Sequence, residues 1–263
     1  MLLMISFVFI WCMSVVGIVG AASDPDLAVL WTFDDIHGGI AEDSSGNGND
    51  GNVIGGVQVV EGKRDGAFQF DGKSGQVLVP NSDSIDIGGG DFSIVFWLKS
   101  KQVIGQFGAT WYNAPWPIDK DVGGGVMGGD WLVSLTEGNL VFMTGDAPLV
   151  KDDLLISTDV ICDGKWHHVG LTREKKSGTK TMYIDGVKDV SEVQGPDLSL
   201  SNTQDLKIGG KSGKWVEGIL DDMAFYTRVL SQAEIRRAMN SGAGATAVRP
   251  MENLATTWGM IKS

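Results

Sequence analysis

The sequence predicts an all-β protein, two antiparallel sheets packed as a sandwich, with one short C-terminal helix. Three observations carry this. Short runs with period-two alternation recur along the chain, as in Trp166, Val169 and Leu171, and again in Met182 and Ile184. Acid-glycine pairs suited to tight turns punctuate the runs: Asp50-Gly51, Asp71-Gly72, Glu137-Gly138, Asp163-Gly164 and Asp185-Gly186. The 37 glycines in 263 residues fit many short strands joined by such turns.

The elements follow in order. Leu2 to Ala22 is apolar and uncharged, and Gly20-Ala21-Ala22 supplies small residues, so residues 1–22 read as a signal peptide cut near Ala22 or Ser23. The stretch is also long enough to span a bilayer, which leaves an uncleaved anchor as the alternative. Cys12 follows bulky residues, which argues against a lipoprotein anchor. Removal of the signal leaves Cys162 alone, so no intramolecular disulfide is expected. Residues 23–242 carry the strand pattern without a linker. The charged turn Arg173 to Gly178 joins a hairpin whose arms are Trp166-His167-His168-Val169 and Tyr183-Ile184-Asp185-Gly186. Ser231-Gln232-Ala233-Glu234 is a capping box, Leu230 and Ile235 form its hydrophobic staple, and Ser241-Gly242 ends the helix. The tail, residues 243–263, reads as an extra docked strand containing Trp258 and Ile261, with a recognition tag as the alternative.

Several of these segments resemble, in the same order, the laminin G-like (LamG-like) jellyroll domains of the concanavalin A-like lectin/glucanase superfamily. The hairpin of Trp166-His167-His168 and Tyr183-Ile184-Asp185-Gly186 is similar to a signature of that family. So are Leu30-Trp31-Thr32-Phe33-Asp34-Asp35, the loop Asp43 to Gly51, Ala67 to Gly72, Val77 to Pro80, Phe92 to Lys99, and Gly218 to Tyr226 with Arg228 to Ser231. The resemblance covers about Leu27 to Asn240. It implies a jellyroll of two curved sheets that binds rather than reacts, secreted or held at the cell envelope.

The formal charge of −12 argues against nucleic acid, which needs clustered Lys and Arg. The expected partner is a glycan or an extracellular protein, with membrane association only if the N-terminal segment stays uncleaved. The stretch from Gly105 to Trp131 breaks the strand pattern and holds Trp111, Tyr112, Trp116 and Trp131, which nominates these rings for ligand stacking. The opposing reading is that they roof the core. Calcium near the first and last strands is what the family resemblance implies, with Asp34, Asn49 and Asp221 as ligands and Asp35 and Asp43 as alternates. Hard oxygen donors suit that ion. Strand alternation places Asp35 on the face of Trp31 and Phe33, and Asp221 on the face of Met223 and Phe225. His167 and His168 fall on opposite faces, which disfavours zinc.

The paired-acid run of the glucanase branch is missing, as are a nucleophile elbow and a phosphate loop. A non-catalytic binding module is therefore expected. The rivals are a polysaccharide-degrading enzyme using an acid such as Glu137 or Asp130, and a purely structural or adhesive surface protein.

Overall fold

The computed structural model describes residues 24–103, 111–122, 129–146 and 151–245. The signal segment lies outside these residues, as does the tail beyond Ala245. In chain order the strands are β1 (Leu27–Trp31), β2 (Ile40–Ala41), β3 (Gly51–Ile54), β4 (Val57–Glu61), β5 (Gly66–Asp71), β6 (Gln76–Val79), β7 (Phe92–Ser100), β8 (Ile118–Lys120) and β9 (Trp131–Thr136). They continue with β10 (Asn139–Asp146), β11 (Lys151–Ile156), β12 (His167–Glu174), β13 (Thr179–Ile184), β14 (Val187–Val193), β15 (Leu206–Ile208) and β16 (Glu217–Tyr226), followed by the helix α1 (Gln232–Ser241).

Two eight-stranded antiparallel sheets result, as the sequence predicts. Sheet A runs β14-β13-β12-β7-β16-β5-β4, with β1 also paired to β16, and sheet B runs β11-β10-β9-β8-β15-β6-β3-β2. The inner faces supply one core that includes Trp31, Phe68, Phe92, Phe96, Trp131, Phe142 and Phe225. The signature hairpin forms in register, with Val169 opposite Ile184 and Leu171 opposite Met182. Asp185 (φ 51°) and Gly186 (φ 74°) then make the tight turn into β14. Glu137 (φ 52°) and Gly138 (φ 89°) do the same between β9 and β10.

The helix begins as expected. The Ser231 hydroxyl accepts from the Glu234 amide, and the Glu234 carboxylate accepts from the Ser231 amide. Leu230, Ile235 and Ala238 bury against Val95, Ala224 and Tyr226 on the outer face of sheet A. Gly170 leaves room for Ile235, whose nearest atom would lie 2.9 Å from a Cβ placed there. The first and last described segments meet at one patch. Leu27 pairs with Tyr226, Arg228 pairs with Asp24 at 2.6 Å, and the Tyr226 hydroxyl donates to the Ala243 carbonyl. Cys162 is the free, buried thiol, and burial pushes it up to about 11.

Candidate functional site

Sheet B presents its outer face as a cross-strand row: Leu78, Lys207, Asp119, Leu132, Met143 and Leu154 stand opposite one another in turn. Trp116, 4% exposed, packs on Leu132 and Met143 in this row. Two cations lie over its ring, Lys214 Nζ at 4.2 Å and Lys211 Nζ at 5.0 Å from the centroid. The loop carrying them is pinned by the Trp116 amide, which donates to the Lys214 carbonyl. Asp119 is fully buried, and burial raises its carboxyl above the usual range, against the pull of Lys211. Lys211 Nζ reaches Asp119 at 2.9 Å and Asp121 at 3.2 Å. Tyr112 stands 48% exposed. The result is an aromatic and lysine patch backed by buried apolar residues, with carboxylates beside it.

The four aromatic residues nominated from sequence therefore separate. Tyr112 faces solvent, and Trp116 forms a floor roofed by lysines. The side chain of Trp111 lies outside the described residues. Trp131 corrects the expectation: it is 0% exposed, with its ring centroid 5.6 Å from Phe92 and 5.9 Å from Phe225. It opens β9, and alternation sends Trp131, Val133 and Leu135 inward together. No ligand stacks on a ring in that position. Lys211 and Lys214 were missed from sequence, although Gly209-Gly210-Lys211-Ser212-Gly213-Lys214 is a visible cationic, glycine-rich loop.

The acidic set also separates. The Asn49 amide donates to the Ala28 carbonyl, and its Oδ1 accepts from the Ser82 and Ser84 hydroxyls. Asp221 Oδ2 accepts the amides of Lys63 (2.7 Å) and Arg64 (3.0 Å) in the turn between β4 and β5. Asp34 accepts the Gly66 amide in the same turn at 2.9 Å. Asp34 and Asp221 thus meet one turn, while the Asn49 side chain is spent on Ala28, Ser82 and Ser84 instead. The named calcium ligand set does not form one site. Asp43 holds its own loop: its carboxylate accepts from the amides of Leu30, Ser45 and Asn49 and from the Ser45 hydroxyl. Asp35 is exposed and pairs with His37 at 2.9 Å. Its inward placement fails because β1 ends at Trp31 and Phe33 takes φ 61°. Among the described residues, no group of three or more His, Cys, Asp or Glu side chains is placed to hold a metal.

Asp221 is buried but on the outer face of sheet A, opposite the side predicted. A bulge between Asp221 and Ala224 switches the face, with Asp222 at φ 45°. Asp221 lies across from Trp97, and Trp97 across from His168. The Trp97 and His168 rings meet edge to face at 5.1 Å, and Lys63 Nζ sits 4.6 Å from the Trp97 centroid. Burial lifts Asp221 to about 7 and, against the neighbouring Arg64, lifts Asp222 to about 6. Burial lowers His168 to about 4. Among the described residues, Asp221 Oδ1, Trp97 Nε1 and His168 Nδ1 have no hydrogen-bond partner. His167, on the other face, bonds Asp185 at 2.9 Å and Asp163 at 3.2 Å. The acids suggested for a hydrolase, Glu137 and Asp130, flank β9 at opposite ends, roughly 20 Å apart.

The family model of the concanavalin A-like lectin/glucanases superfamily matches residues 71–236. The chain belongs to this family. Solved members of the same fold include the binding domain of Paraclostridial Mosquitocidal Protein 1, at 22% identity and TM-score 0.64, covering 82% of this chain and 52% of that one. The binding domain of botulinum neurotoxin DC, solved with rat synaptotagmin II, gives 19% identity and TM-score 0.61, covering 82% and 51%. Domain 4 of AbnA, a GH43 extracellular arabinanase from Geobacillus stearothermophilus solved with arabinotriose, gives 19% identity and TM-score 0.59, covering 80% and 97%. The chain spans about half the length of the toxin domains and nearly all of the arabinanase domain. At these identities the likeness is one of fold. A comparison with curated proteins finds no match. Among the described residues no helix is long and apolar enough to cross a membrane.

Proposed function

We propose that the protein is a non-catalytic recognition module that binds a glycan outside the cell through the outer face of sheet B. The observation that carries this is the patch of Tyr112, Trp116, Lys211, Lys214 and Asp121. It offers ammonium donors and a carboxylate acceptor held over the buried Trp116 ring, with the exposed Tyr112 ring four residues earlier in the chain, a combination suited to the hydroxyls and apolar faces of a sugar. The arabinotriose complex of the arabinanase domain and the toxin binding domains support a binding role on this fold. The complex of the botulinum neurotoxin DC binding domain with synaptotagmin supports an extracellular protein as the second class of partner. Secretion rests on the apolar segment of residues 1–22.

The test is a glycan and polysaccharide array probed with the protein expressed from its full sequence, beside Tyr112→Ala and Lys214→Gln. Binding to one sugar class that both substitutions weaken, with unchanged thermal stability, supports the reading. Glycan binding that neither substitution alters removes the sheet B patch. A folded protein that binds no glycan moves the assignment to a protein-binding or adhesive role, and release of sugar from any polysaccharide overturns the non-catalytic assignment.

A further inference from the structure

Helix α1 covers only part of the outer face of sheet A. Its apolar side lies over Val95, Ala224 and Tyr226, and the buried row of Asp221, Trp97 and His168 comes next. Beyond that row the sheet is bare. There an open cavity of about 250 Å³ is lined by Gln69, Lys99, Lys101, Gly164, Glu217 and Ile219. It is smaller than the roughly 300–1,000 Å³ of pockets that enclose drug-sized ligands and suits a single ring of a longer chain.

The lining is specific in charge. Lys99 lies two residues from Lys101, and both reach the same cavity. Neither takes an ion pair among the described residues, whereas Lys165, Lys207 and Lys211 each do. Lys99 Nζ instead stands 5.8 Å from the ring centroid of Trp166, a half-exposed indole that the lysine links to the cavity. The path of Lys101 depends on Gly164, because a Cβ there would come within 2.5 Å of Lys101 Cε. Gln69 is exposed, and with Glu217 it adds an amide and an acceptor for hydroxyls.

We infer that this cavity is a second binding site, for a carboxylated sugar residue of an acidic polysaccharide. The two lysines hold the carboxylate by charge-assisted hydrogen bonds, and Trp166 carries the apolar face of the ring. The lining sets two lysines against one carboxylate, Glu217, and this net positive charge suits an anionic ring. A chain of net charge −12 repels a polyanion in general, so retention by one requires a local cationic site. The inference takes only its ligand class from the glycan reading, and it concerns the opposite sheet.

The test is native affinity electrophoresis of the full chain through gels containing polygalacturonate, a uronate polymer, or a neutral arabinan. Polygalacturonate should retard the parent. Lys99→Gln/Lys101→Gln should weaken that retardation about tenfold or more, as expected when hydrogen bonds to a charged group are lost. Trp166→Ala should weaken it as well. Lys73→Gln/Lys188→Gln carries the same charge change on exposed lysines elsewhere and should bind as the parent does. Tyr112→Ala should also retain uronate binding, which separates failure at this site from failure on sheet B. A parent that is not retarded overturns the inference. So does a folded Lys99→Gln/Lys101→Gln variant that binds like the parent, or a charge control that loses binding equally.

Discussion

Asp221→Asn should make the protein more stable at neutral and alkaline pH. The side chain is fully buried, and burial lifts its carboxyl from 3.8 to about 7. A raised carboxyl means that the folded state binds the proton more tightly than the unfolded state. Its contribution is therefore most favourable below 3.8, declines as pH rises towards 7, and is level above that. A shift of this size corresponds to about 4 kcal/mol at 1.36 kcal/mol per unit. Asparagine keeps an oxygen for the amides of Lys63 and Arg64 and removes the buried ionisation. Arg64, Asp222, Asp34 and Asp65 surround this turn on one side and His168 lies beyond Trp97. These groups remain in both proteins, and Asp222, whose charge helps raise Asp221, responds with it, so the difference between parent and variant reads the Asp221–Asp222 pair. Urea unfolding at pH 5 and pH 8 is the assay. The variant should gain roughly 2–4 kcal/mol at pH 8, or about 4–16 °C in Tm at 2–4 °C per kcal/mol, and distinctly less at pH 5. A variant less stable than the parent at pH 8, or a difference that does not change with pH, refutes the reasoning.

Lys211→Met leaves the buried Asp119 with Lys207 at 4.0 Å as its nearest cation; a loss of about 3–5 kcal/mol is expected in chemical denaturation, as for breaking one side of a buried pair. Asp43→Ala removes an acceptor used by three amides and a hydroxyl and should cost about 2–4 kcal/mol. The cost should be equal in calcium and in chelator, because hydrogen bonds hold this loop; a calcium-dependent loss, read by differential scanning calorimetry, would contradict that. Cys162, buried and raised to about 11, should resist a thiol reagent at pH 8 in the native state and react fully in denaturant.

What the sequence disclosed and what it hid follow from the range of the interactions. The hairpin through Asp185-Gly186 and the Ser231 capping box are local, so neighbouring residues suffice to read them. The inward turn of Trp131 was also legible in its alternation with Val133 and Leu135, and only its position after an irregular stretch suggested otherwise. The face of Asp221 was not legible, because the bulge that flips it arises from pairing between β7 and β16, which are more than a hundred residues apart. Nor were the buried cations. Lys180 is fully buried, and its ammonium donates to the Asp153 carbonyl and the Thr144 hydroxyl. Arg173 donates to the carbonyls of Gly195 and Leu198. Their acceptors are mostly backbone groups from remote segments, which no spacing of residue types announces. The aromatic and lysine patch is split between residues flanking β8 and the loop before β16 for the same reason.

The meeting of Asp24, Arg228, Tyr226 and Ala243 has a mechanical consequence. Leu27 and Tyr226 close the β1–β16 ladder at this corner, so a pull applied at Asp24 and Arg228 loads the ladder from its open end. The bonds break one after another, as in a zipper, instead of sharing the load as they would in shear.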